Sequence, residues 1–67
     1  MDPELNRFLR ALQRANGAAT RKDLPIADRK QNRARQKAKQ LGYAYFEFGT
    51  WFLKDAGREA LANMRAA

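Results

Sequence analysis

The sequence predicts an α+β fold that is mostly helical: a helix, a short helix, a third helix, a two-stranded hairpin and a C-terminal helix. Three observations predict it. Apolar residues recur at helical spacing near the start, at Leu5, Phe8, Leu9 and Leu12. Residues 21–40 then hold eight Lys or Arg against two Asp and almost no large apolar side chain, which is +6 of the chain's net +7. A dense aromatic run over residues 43–52 follows at once. It is too short and too aromatic for a surface helix and reads as strand.

The first helix opens at Asp2-Pro3-Glu4. Asp2 can cap, Pro3 suits the first helical position and Glu4 complements the dipole. Arg7, Arg10, Gln13 and Arg14 fall largely off the apolar stripe that ends at Ala15. Asn16-Gly17 stops the helix, with Gly17 suited to the left-handed C′ position. Thr20 can cap a short second helix over residues 21–24, which Pro25 limits because the residue before proline avoids helical geometry. Ile26 reads as an apolar plug between two basic segments. A third helix, started by Pro25 or capped by Asp28, runs to about Leu41 and is built from good helix formers; Gly42 stops it.

On a wheel of about 100° per residue, Ala27, Gln31, Ala38 and Leu41 cluster around Ala34. A stripe so rich in alanine permits close approach to another helix. The opposite face gathers Arg29, Asn32, Arg33, Gln36, Lys39 and Gln40. A face that serves only solvation would more often mix Glu with Lys. This helix has no Glu, and its single acid, Asp28, stands at the N-terminus where a cap belongs.

In the hairpin, Gly49-Thr50 fits a two-residue turn with glycine first, the type II′ pattern. Phe48 then pairs with Trp51 and Phe46 with Leu53 on one face, while Tyr45, Glu47 and Phe52 lie on the other. Most of these aromatics read as core and hairpin staples. The sharper alternative has Trp51 or a tyrosine against a sugar–phosphate backbone or a base. Asp55 is expected to cap the last helix, with Leu61 and Met64 as its apolar anchors and Ala60 beside them.

Sixty-seven residues make one domain, residues 1–67. With no Cys and no His, a disulfide, thiol chemistry and an ordinary zinc site are excluded. The seven carboxylates are scattered over helix starts and surfaces, and no glycine loop cradles a phosphate, so no catalytic residue, metal or cofactor is expected and the chain is not read as an enzyme. No run approaches the roughly 20 apolar residues that cross a bilayer. The start lacks the basic and apolar regions of a signal peptide, so a cytoplasmic, nucleoid-associated location is expected. A membrane-surface role is disfavoured because the basic helix lacks a bulky apolar face.

Three features resemble a winged helix-turn-helix domain of bacterial or phage type: the element order, the phrase Gln40-Leu41-Gly42-Tyr43, and the phrase Trp51-Phe52-Leu53-Lys54-Asp55-Ala56-Gly57-Arg58-Glu59-Ala60-Leu61. The first phrase is similar to the family's junction from recognition helix to wing. The second is similar to its aromatic-x-Leu-Thr-x-x-Gly-x-x-Ala/Leu ending. Lys54 stands where the family often has threonine, the second helix is unusually short, and residues 18–20 fall where many members have a small strand or turn. The resemblance implies that residues 26–41 contain the recognition helix, that Gly49-Thr50 tips a minimal wing, and that the domain can form a homodimer.

The expected partner is duplex DNA. Concentrated positive charge releases condensed counterions, and a helix fits the major groove. Arg29, Asn32, Arg33 and Gln36 are the candidate base readers, since Arg pairs with guanine edges and Asn or Gln with adenine edges. Arg21, Lys22, Lys30, Lys37 and Lys54 are the candidate phosphate contacts. The expected function is transcriptional regulation or a nucleoid or phage accessory role. The competing expectation is an interaction module whose basic face covers an acidic protein partner.

Overall fold

The computed structural model describes residues 2–66, with side chains described as far as Asn63. Three helices and a three-stranded antiparallel sheet follow in the order α1 (Pro3–Arg14), β1 (Ala18–Thr20), a 3-10 turn (Arg21–Asp23), α2 (Arg29–Gln40), β2 (Ala44–Glu47), β3 (Thr50–Leu53) and α3 (Asp55–Ala66). The sheet order is β1-β3-β2, so the last strand lies in the middle.

Helix ends follow local chemistry. Asp2 caps α1 by accepting from the Glu4 amide at 2.9 Å, and Asp28 caps α2 by accepting from the Gln31 amide at 2.8 Å. Asp28, not Pro25, therefore starts the basic helix. Both helices close with paired reverse bonds in which the chain turns left-handed. In α1 the Gly17 amide reaches Leu12 O (2.8 Å) and the Asn16 amide reaches Gln13 O (3.1 Å). Asn16, with φ 61°, is thus the left-handed C′ residue there, one place before the glycine expected to fill it. In α2 the Tyr43 amide reaches Ala38 O (2.9 Å) and Gly42, φ 74°, is the C′ residue.

The core lies between α1, α2, α3 and one face of the sheet. Leu5, Phe8, Leu9 and Leu12 are the buried stripe of α1, as their spacing predicts. Ala19, Ala44, Trp51 and Leu53 close the core from the sheet, and Leu61 closes it from α3. The Phe8 ring meets Trp51 edge-on at 5.0 Å between centroids. Gly57 is buried where α3 crosses the start of the hairpin. A Cβ there would run into the Tyr43 carbonyl oxygen and Leu53. Ala60 is half-buried beside it, and Met64 lies outside the residues whose side chains are described.

Several expectations are corrected. Residues 18–20 form a strand on the free side of β3, so the sheet has three strands, not two. The second helix is reduced to the single 3-10 turn; Thr20 makes no side-chain cap to its backbone and instead donates to Asp23 at 3.3 Å. Leu24, not Ile26, is the plug in the following loop: Leu24 is buried, whereas Ile26 is 86% exposed. At α3 the Lys54 carbonyl accepts from the Gly57 and Arg58 amides, so Lys54 occupies the N-cap position and Asp55 belongs to the first turn.

The hairpin turn is Phe48-Gly49, one residue earlier than expected. Glu47 faces Thr50, Phe46 faces Trp51, Tyr45 faces Phe52 and Ala44 faces Leu53. Both central residues have positive φ, 49° and 75°, the signature of type I′ rather than II′. Moving the turn by one residue shifts the pairing by two, so each residue that stays in a strand keeps its face, while Phe48 leaves the expected pair with Trp51 and enters the turn. Tyr45 and Phe52 do stack on the outer face, with centroids 5.0 Å apart. Phe46, however, is half exposed rather than buried.

Candidate nucleic-acid interface

The site is built on α2, and the phase of that helix decides which side chains it offers. Gln31, Ala34, Arg35 and Ala38 are buried, while Ala27 and Leu41 are exposed. The buried face is therefore turned by roughly 30° toward Arg35 from the alanine-centred position expected. Two polar anchors set this phase. The Gln31 amide donates to the Glu4 carbonyl at 3.1 Å and also to the Glu4 carboxylate, in the first turn of α1. Its Oε1 is buried with no partner. The Arg35 guanidinium lies over the Phe8 ring, 5.6 Å from its centroid, and donates to the Pro25 carbonyl at 2.9 Å. Burial lowers the Arg35 pKa from its ordinary value, and its Nε is unpartnered. Composition alone gives no signal for a core arginine in this helix, because its partners lie 10 and 27 residues away in sequence.

With that face buried, Arg29, Asn32, Arg33 and Gln36 point outward together. Their spacing of three, four and seven residues makes one stripe along about 10 Å of helix. Arg29, Asn32, Arg33, Gln36 and Lys37 border one shallow depression, joined at its edge by Asp2 and Gln40. Among the described residues no α2 cation is engaged in an ion pair. The ion pairs among the described residues are Arg7 with Glu4 and Arg58 with Asp55, each within a single helix.

A groove of about 530 Å³ runs along the other flank, between α2, the 3-10 turn and the hairpin. Arg21, Lys22, Lys39 and the largely buried Arg35 supply its charge, Asn32 and Gln36 border it, and Phe46 and Trp51 form its apolar wall. Lys39 lies over the Trp51 ring, 5.3 Å from the centroid. Trp51 itself is 5% exposed and wedged between Phe8 and Phe46, so it stiffens the wall and cannot stack on a base.

Seven of the nine expected site residues thus surround the exposed half of α2. Lys30 and Lys54 border neither depression. Lys30 sits on the flank of α2 away from the groove, and Lys54 joins β3 to α3 at the end of the hairpin opposite its turn. Lys39 and Phe46 join the site; Lys39 is on the outer face of the wheel, but its place beside Trp51 depends on the sheet. Among the described residues no group of three or more Asp or Glu could hold a metal ion, and no helix is long and apolar enough to cross a membrane. Comparison of the chain with protein-family models, with curated proteins and with solved structures finds no match.

Proposed function

We propose that this chain is a winged helix-turn-helix domain that binds duplex DNA by docking α2 in the major groove. The observation that carries the reading is the outward face of α2: Arg and amide side chains in one stripe, with no acid among them and no ion pair on any α2 cation among the described residues. Arg29, Asn32, Arg33 and Gln36 read base edges. Phosphates on the two sides of the groove are met by Arg21, Lys22 and Lys39 on one flank and by Lys30 and Lys37 on the other, with Lys54 as an outlying contact. The hairpin, braced by β1, is the wing. A nucleoid-associated regulator or phage accessory factor is the biological role that fits a small domain of net charge +7.

A second reading is an interaction module whose basic face covers an acidic protein, and one observation adds surface that a protein partner can cover. The outer sheet face carries the Tyr45–Phe52 stack, and Tyr45 is 43% exposed. Fluorescence anisotropy with a labelled random-sequence duplex at low salt separates the two. Saturable binding that weakens with added salt supports DNA; no binding at low salt removes it in favour of a protein partner. Selection from a random duplex pool then gives the preferred site.

A further inference from the structure

The hairpin turn departs from local preference. The first central position of a type I′ turn is dominated by Asn, Asp and Gly, because φ is positive there. Phe48 occupies it, with φ 49°. An L-residue with a bulky side chain is disfavoured in this region. The side chain recovers nothing from the fold, since Phe48 is 96% exposed and makes none of the ring contacts found among the described residues. Folding alone would select Asn-Gly at this turn. The sequence instead holds a rigid apolar ring at the tip of a hairpin, projecting beyond both strands.

The surroundings indicate what the ring meets. Gly49 of the same turn borders the groove lined by Arg21, Lys22, Arg35 and Lys39, so the hairpin turn stands at the edge of a cationic groove. The nearest carboxylate in sequence, Glu47, belongs to the other face of the strand, with Tyr45 and Phe52. An exposed aromatic ring beside a cationic groove is complementary to a polyanion with an apolar, stacked interior. Apolar side chains that enter duplex DNA from the minor groove do so between base steps, partly unstack them and kink the helix.

We propose that Phe48 is such a wedge, entering a base step of the minor groove while α2 occupies the neighbouring major groove, so that binding bends the duplex. This rests on the duplex-binding reading and adds to it a mode of recognition. A pyrimidine–purine step is the easiest to open, so preference for TA or CA/TG where the tip lands arises without a hydrogen bond to any base.

The test uses the full chain and its Phe48→Asn variant. Asn-Gly is the preferred type I′ pair, so the variant keeps the turn. Each protein is titrated into a short duplex with a central TA step, a fluorophore at each end and 2-aminopurine at the step. Affinity is read by anisotropy, bending by energy transfer and unstacking by 2-aminopurine emission. The wild-type chain is expected to raise both energy transfer and emission. Phe48→Asn is expected to bind about tenfold or more weakly with the same salt slope, to leave both signals flat, and to melt no lower than wild type. If neither protein binds the duplex, the DNA reading falls and the wedge with it. If both bind and bend alike, or neither bends, the wedge is wrong while the DNA reading stands. A lower melting temperature for Phe48→Asn, or a wild-type dimer that the substitution turns into a monomer in sedimentation, would assign Phe48 to the fold or to self-association and overturn the proposal.

Discussion

Gln31, in the first turn of the basic helix, is fully buried and donates its side-chain amide to both the backbone carbonyl and the carboxylate of Glu4 in the first turn of α1. This contact locks two helices in rotation as well as in position. Two oxygen acceptors fix which end of the amide is NH2. The same rotation turns Arg29 and Arg33 outward, so a polar contact inside the core sets the composition of the exposed face.

Gln31→Ala should cost about 2–3 kcal/mol, since it opens a void and leaves the Glu4 carbonyl without its buried donor. Urea denaturation of the two proteins measures it. A loss below about 0.5 kcal/mol would mean that the phase of α2 is set by the alanines alone.

Gly57→Ala should destabilise more than its single methyl suggests. The new Cβ would collide with the Tyr43 carbonyl oxygen, and that carbonyl is held by the Lys54 amide at 2.9 Å and cannot easily retreat. A loss of about 2 kcal/mol or more is expected, against the gain of up to about 1 kcal/mol that Gly→Ala gives in an open helix. A thermal melt decides it, and a raised midpoint would show that α3 packs less closely than described.

Leu53 and Phe46 should separate. Leu53→Ala removes a buried side chain and should cost about 2–5 kcal/mol, close to the whole stability of a domain this small. Phe46 is half exposed, so Phe46→Ala should cost only about 1 kcal/mol. Equal losses in denaturant titrations would contradict the half exposure of Phe46.

Lys54→Thr should stabilise the chain by about 0.5–1 kcal/mol, because Lys54 holds the N-cap position of α3 and a threonine hydroxyl can accept there. If Lys54 also meets a phosphate, the same change lowers the salt slope of duplex binding by about one. Melting and salt titration read the two effects independently.

The ends of α1 and the C-terminal end of α2 were legible because their chemistry is local. Asp2, Asn16-Gly17 and Gly42 each satisfy backbone groups within a few residues of themselves. The exposed stripe Arg29, Asn32, Arg33 and Gln36 followed from helical periodicity. The turn did not follow, because Phe48-Gly49 runs against local preference and is imposed by the pairing of Phe46 with Trp51, Ala44 with Leu53 and β1 with β3. β1 was too short and too poor in large side chains to announce itself as paired. Arg35 was invisible as a core residue for the same reason: its burial is made by Phe8 and the Pro25 carbonyl, which only the folded chain brings to it.

Docking of the α2 face on duplex DNA is tested most directly by the salt dependence of binding for the wild-type chain and for Arg29→Glu/Arg33→Glu. Both arginines lie on the exposed face, so the double variant should keep its circular dichroism and melting transition. The wild type should bind a random-sequence duplex with a log–log salt slope of about −4 to −6, corresponding to roughly five to seven neutralised phosphates, and the double variant should show almost no binding at any salt. A folded double variant that binds as tightly as wild type, or a wild-type slope near zero, would contradict the assignment of α2 as the DNA-docking element.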